Sequence, residues 1–181
     1  DLDGDGWQDL LLAGRVFRNK AGTEFVDVTI LTQHKTVPPD VSAIVVADFD
    51  RDGRMDLYLT RPAESESGSW VSNEGSRSRG NRLWRNLGDW QFEDVTEKVG
   101  VGLADRICVG GTFADVDNDG GQDLFVASTR GGNVFYENQG GGVLKDVTKA
   151  AGLEHIGHRI IRVVVIAKRL RLLPRQIDDD L

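Results

Sequence analysis

One cysteine, Cys108, stands in 181 residues, so no disulfide can close within the chain and the fold is not a stapled secreted miniprotein. Nor does any run approach the ~20 apolar residues that a transmembrane helix needs, which excludes a helical membrane span. Three histidines (His34, His155, His158) and that single thiol leave nucleophilic and general-base chemistry thinly supplied. Basic residues are outnumbered 22 to 29, for a net charge of -7. A nucleic-acid partner would need a concentrated basic face, so none is expected. The chain opens on Asp1 with neither an initiator Met nor a signal peptide, so the expectation is that the true N-terminus lies upstream.

What is present is enough for one globular domain and small for two: 39% hydrophobic and 28% charged residues, with 7% aromatic. The charge is uneven. Residues 155–181 carry a net +3 and residues 1–154 the remaining -10.

Self-similarity dominates the acidic part. Asp1-Leu-Asp-Gly-Asp-Gly-Trp-Gln-Asp-Leu10, Asp48-Phe-Asp-Arg-Asp-Gly-Arg-Met-Asp-Leu57 and Asp115-Val-Asp-Asn-Asp-Gly-Gly-Gln-Asp-Leu124 all read D-x-D-x-D-G-x-x-D-L. A second block follows each: Phe17-Arg-Asn19 then Phe25-Val-Asp-Val-Thr29, Trp84-Arg-Asn86 then Phe92-Glu-Asp-Val-Thr96, and Tyr136-Glu-Asn138 then Leu144-Lys-Asp-Val-Thr148. Asp27 to Asp48 and Asp94 to Asp115 are both 21 residues. Only the gap from the last loop aspartate to the asparagine varies, at 10, 30 and 15 residues. Length variation confined to one point is how a structural unit with one tolerant loop behaves.

Within a unit the periods are strand-like. Val41–Ala47 leads into an acidic loop and Met55–Thr60 leaves it. Arg82–Arg85, a tight turn at Asn86–Asp89, and Gln91–Thr96 complete four short strands. The expected fold is all-β: a partial β-propeller of about three four-stranded antiparallel blades. Residues 1–154 divide into a partial blade (1–40), a blade with an inserted loop at 62–80 (41–105), and a third blade (106–154). The insertion is rich in Ser, Gly and charge, and reads as a flexible surface loop.

The acidic loops read as metal sites. Four carboxylates within nine residues repel one another by roughly 3 kcal/mol per pair at ~5 Å and an effective dielectric of about 20; a bound divalent cation reverses that sign. Side chains at positions 1, 3, 5 and 9 can converge, position 7 can offer its carbonyl, and Gly at position 6 permits the sharp turn. Oxygen-only ligands on a flexible loop favour Ca²⁺ over zinc, copper or Mg²⁺. An EF-hand, which begins with similar spacing, wants a bidentate Glu at position 12, where these loops have Leu12, Leu59 and Val126. The plain alternative is an acidic surface turn that binds nothing.

These loops, with the aromatic-x-Asn and Asp-Val-Thr blocks, resemble FG-GAP/VCBS repeats, as in integrin α-subunit propellers, bacterial ASPIC/UnbV-type proteins and cartilage acidic protein. The resemblance covers about residues 1–154. It implies a seven-bladed propeller outside the cytoplasm (extracellular, periplasmic or at the cell surface), with Ca²⁺ in a hairpin loop between the first two strands of a blade. By motif position it assigns three ions, to Asp1, Asp3, Asp5, the Trp7 carbonyl and Asp9; to Asp48, Asp50, Asp52, the Arg54 carbonyl and Asp56; and to Asp115, Asp117, Asp119, the Gly121 carbonyl and Asp123. Three units cannot close such a ring, so an arc of a longer protein is expected, its remaining blades lying outside this chain. After Asp146 the pattern calls for a further loop starting at position 167, but Ala167, Arg169 and Arg171 stand where its first three aspartates belong. Residues 155–181 thus read as a degenerate blade start, as a basic tail, or as a shifted reading frame, since Arg169-Leu-Arg-Leu172 can be coded so that one base later it gives Asp-Phe-Asp.

No catalytic residue is expected. Cys108, in the strand-like Ile107-Cys-Val109, reads as buried and apolar. His155 and His158 lack an acidic or thiol companion, and Asp27, Asp94 and Asp146 recur as strand-end structure. Trp84 shares the place of Phe17 and Tyr136 and reads as blade core, whereas Trp70 and Trp90 are freer and raise a sugar-stacking alternative. The function these features favour is a Ca²⁺-stabilised adhesion or ligand-binding module, for a protein or carbohydrate, without membrane insertion. The alternative is the propeller part of an extracellular polysaccharide-processing enzyme.

Overall fold

The computed structural model describes residues 1–12, 14–29, 41–61, 63–64, 77–78 and 80–154. The insertion at 62–80 is therefore described only at its edges, and the tail at 155–181, His34 and Trp70 lie outside the described residues.

Strands β1 (Leu10–Leu12), β2 (Arg15–Lys20) and β3 (Glu24–Asp27) form a three-stranded sheet in sequence order. The second sheet is β4 (Ala43–Ala47), β5 (Asp56–Thr60), β8 (Arg82–Gly88) and β9 (Gln91–Asp94). Two short strands, β6 (Ala63–Glu64) and β7 (Arg77–Ser78), pair within the connection from β5 to β8. A single helical turn, α1 (Thr96–Val99), follows β9 and ends at Gly100, whose φ of 78° is the left-handed cap that glycine accepts without strain. The third sheet runs β10 (Ile107–Ala114), β11 (Asp123–Arg130), β12 (Val134–Asn138), β13 (Leu144–Asp146). All pairings are antiparallel, and within each sheet the strands lie in chain order. The chain is an all-β arc of blades, as the repeat spacing predicts. No helix among the described residues is long and apolar enough to cross a membrane.

The blades pack face to face, and strand alternation sorts the side chains. In β5, Leu57 and Leu59 pack with Leu2, Val16 and Val28 of the first blade. Tyr58 between them points the other way and packs, with Leu83 and Val95, against Leu124, Val126 and Tyr136 of the third. All five residues of β5 are buried, so the central blade is covered on both faces. Each fully buried Leu, Val or Phe contributes about 1.5–3 kcal/mol relative to exposure. Among the described residues the first blade has no such cover on its outer face: Leu12 and Phe25 are 63% and 50% exposed, whereas their counterparts Leu59 and Phe92 are 0% and 1%.

Two details depart from the sequence reading. The strand runs through Asn86 to Gly88, with a bulge between them. The turn falls at Asp89 and Trp90, whose φ values of 49° and 61° are the left-handed pair of a tight hairpin. Trp90 is also buried in the cluster that holds Trp84 and Phe92, so it offers no free face to a sugar. Cys108 is buried, as its strand setting predicts.

Because each blade is a meander, its ends differ. The acidic loop and the turn from third to fourth strand lie at one end, and the variable connection from second to third strand lies at the other.

Candidate metal centre

The acidic loops link β4 to β5 and β10 to β11, and lead into β1. The second and third close on the pairs Ala47↔Asp56 and Ala114↔Asp123, so their position 9 is the first residue of the returning strand, and in the first loop Asp9 directly precedes β1. Positions 4 and 6 have positive φ in every copy: Gly4, Arg51 and Asn118 at 76°, 62° and 63°, and Gly6, Gly53 and Gly120 at 90°, 88° and 87°. Position 6 is glycine each time because a side chain there is strained.

The carboxylates fold the loop by taking its own amides. Position 1 accepts from the glycine at position 6: Gly6 N to Asp1 at 2.9 Å, Gly53 N to Asp48 at 2.9 Å and Gly120 N to Asp115 at 3.1 Å. Position 5 accepts from position 7, through Trp7, Arg54 and Gly121. These bonds turn the acids inward. Oxygens of Asp1, Asp3 and Asp5 lie within 4.8 Å of one another, as do those of Asp48, Asp50 and Asp56, and of Asp115, Asp117 and Asp123.

Asp9, Asp52 and Asp119 stand outside these triads. Position 9 does a job that spacing alone does not disclose. Asp9 accepts Leu2 N at 2.7 Å and Asn19 N at 2.9 Å; Asp56 accepts Phe49 N at 3.1 Å and Asn86 N at 2.7 Å; Asp123 accepts Val116 N at 3.0 Å and Asn138 N at 2.8 Å. Each carboxylate bolts its loop to the third strand. Burial pushes Asp56 up to about 7 and raises Asp123, while the paired amides pull both back. Asp5 is lowered, first by the Trp7 amide and then by Arg18.

Guanidinia also enter the loops. Arg18 Nε meets Asp3 at 2.7 Å and its Nη2 meets Asp5 at 2.9 Å. In the second blade Arg85 Nε meets Asp50 at 2.6 Å and its Nη2 meets Asp52 at 3.2 Å, with Arg54 also against Asp52. The third loop receives Arg51 from the second, Nη2 to Asp119 at 2.9 Å. Both arginines of the aromatic-x-Asn blocks were legible as repeated residues, but their reach into the acids was not.

Two carboxylate oxygens inside the loops, Asp50 Oδ1 and Asp115 Oδ1, are buried and meet no donor among the described residues. The Asp50 side chain is only 10% exposed. A buried anionic oxygen without a donor is costly, and a hard cation would supply the missing partner. The donor set, oxygen alone, fits Ca²⁺.

The other repeated residues join the blades. Asn86 Nδ2 donates to Met55 O of its own loop at 3.0 Å and to Leu2 O of the preceding loop at 2.8 Å. Asn138 Nδ2 repeats this with Gln122 O at 3.0 Å and Phe49 O at 2.8 Å. Asn19 makes the bond within its own loop, to Gln8 O. Asp27, Asp94 and Asp146 each accept the amide of the threonine two residues on. The hydroxyls of Thr29, Thr96 and Thr148 accept Val16 N, Leu83 N and Phe135 N, each at 2.9 Å. That clasp ties the end of the fourth strand to the third, the strand-end role expected of these aspartates.

The FG-GAP-like repeat model matches residues 1–59, 70–126 and 115–166. No curated protein matches the chain.

Proposed function

The chain belongs to the FG-GAP-like repeat family, and from that premise we propose that it is a calcium-stabilised β-propeller module, working outside the cytoplasm, that binds a protein or carbohydrate ligand. The observation that carries the calcium reading is Asp50 Oδ1, a buried carboxylate oxygen with no donor, set among converging acids. Asp1, Asp3 and Asp5 would hold one ion, Asp48, Asp50 and Asp56 a second, and Asp115, Asp117 and Asp123 a third. Asp9, Asp52, Asp119 and the carbonyls of Trp7, Arg54 and Gly121 would complete the sets by motif position. The ion supplies positive charge at the point where the loop concentrates negative charge.

In this reading the ions are structural and the chain is not itself an enzyme. Residues 1–40, 41–105 and 106–154 are successive blades, of which the first is partial. With a lone buried thiol, cohesion at the loop end of each blade comes from ion and amide contacts rather than disulfides. A ligand that binds only the folded state stabilises it by ~2.7 kcal/mol per site at one hundred times its dissociation constant.

Calorimetric titration of Ca²⁺ into the chelator-treated chain, with a thermal melt before and after, tests the proposal. Two or three ions bound and a raised melting temperature are expected. A folded chain that takes up no Ca²⁺ would sink it.

A further inference from the structure

The three loops share a backbone and differ in the charges set against them. In the first and second, the middle residue of the aromatic-x-Asn block is an arginine that meets both position 3 and position 5: Asp3 and Asp5, then Asp50 and Asp52. In the third the same place holds Glu137, whose Oε2 accepts Gln139 Nε2 at 2.6 Å. Arg51 reaches this loop from the neighbouring blade, but it meets Asp119 alone, and both partners are exposed. Asp117, at position 3, accepts the Asp119 amide at 3.1 Å and is not in an ion pair among the described residues. The four loop aspartates, taken with the arginines that contact them and with Glu137, amount to -3, -2 and -4 in chain order.

Resting on the calcium reading above, we propose that the loops are graded sites: Asp115–Asp123 binds Ca²⁺ most tightly, Asp1–Asp9 less so and Asp48–Asp56 least. Arg18 and Arg85 are built-in cations that offset part of their loops' negative charge when the ion is absent. An incoming ion must share Asp3 or Asp50 with a guanidinium already in contact, and it feels that guanidinium's charge. In the third loop position 3 is shared with no guanidinium among the described residues, and Arg51 touches position 5 alone. Affinity in such loops follows ligand charge count and rigidity, and the difference is expected to be at least about tenfold between the third loop and the second.

The test is calorimetric titration of Ca²⁺ alone into the full chain and four variants, each checked for native circular dichroism. The unaltered chain should show one tight ion followed by weaker ones. Asp117→Asn should remove the tight phase and leave the rest. Arg85→Gln should tighten a weak phase, and Glu137→Arg should weaken the tight one, with Glu137→Gln falling between. Three equal sites, or an Asp117→Asn variant that keeps the tight phase, would overturn the grading while leaving calcium binding intact. No binding at all in a folded chain would remove the calcium reading and the grading together.

Discussion

Asn86→Ala isolates the bond that crosses from one blade to the next. The Asn86 side chain is fully buried and makes three hydrogen bonds: Nδ2 to Leu2 O and to Met55 O, and Oδ1 from Gly88 N at 2.9 Å. Truncation strands two carbonyls and one amide. A buried group left without its partner costs about 1–3 kcal/mol, so a loss of roughly 3–5 kcal/mol is expected, allowing for some relaxation. Asn19→Ala provides the internal control. Asn19 makes the same two local bonds, to Gln8 O and from Gly22 N, but sits half-buried on the outer blade. Its loss should cost about 1 kcal/mol, near the net value of an ordinary hydrogen bond. Urea unfolding at a fixed Ca²⁺ concentration, followed by tryptophan fluorescence, reads the difference, because Trp84 and Trp90 lie in the apolar cluster shared by the first two blades. Equal losses for the two variants, within about 0.5 kcal/mol, would refute the claim that the cross-blade bond is what matters.

Three further outcomes are expected. Thr96→Val keeps the shape but removes the acceptor for Leu83 N, and should cost about 1–3 kcal/mol in urea unfolding; a change under 0.5 kcal/mol would contradict the clasp. Asp56, raised by burial to about 7, favours the folded state fully below its unfolded value of about 4 and loses that contribution as pH climbs through 7. Ion-free chain should therefore melt lower at pH 7 than at pH 5, with the slope reduced in Ca²⁺, which favours the carboxylate; identical slopes with and without Ca²⁺ would count against it. Gly111→Ala would set a Cβ 2.9 Å from the Phe125 carbonyl, with Val45 of the neighbouring blade behind it, and should lower the melting temperature by several degrees.

Much of the architecture was written in the spacing. The constant 21 residues from Asp-Val-Thr to the next loop, and strand-like alternation around Leu57 and Leu124, placed the sheets and the loop between first and second strands. The turn at Asp89 and Trp90 escaped because Asn86-Leu-Gly-Asp89 carries turn-forming residues, whereas tertiary contacts hold Asn86 inside the strand. Trp90 read as free for the same reason: a hairpin residue is buried here only because the preceding blade covers it. The acids at positions 1 and 3 were legible as convergent. The bolt formed by Asp9, Asp56 and Asp123 was not, since its partner amides lie up to 30 residues away. Spacing shows which residues recur; it does not show that the asparagine of one unit bonds to the loop of the unit before.

That last bond changes what counts as a unit of inheritance. A blade cut out at its sheet edges would keep its own asparagine but lose the second one that holds its acidic loop, because that residue belongs to the blade that follows. A blade added or exchanged must therefore bring an asparagine that fits the loop before it and a loop that fits the asparagine after it. Extra length enters without disturbing that fit in the connection from second to third strand, which differs by 20 residues between copies and lies at the far end of the blade from the acidic loop.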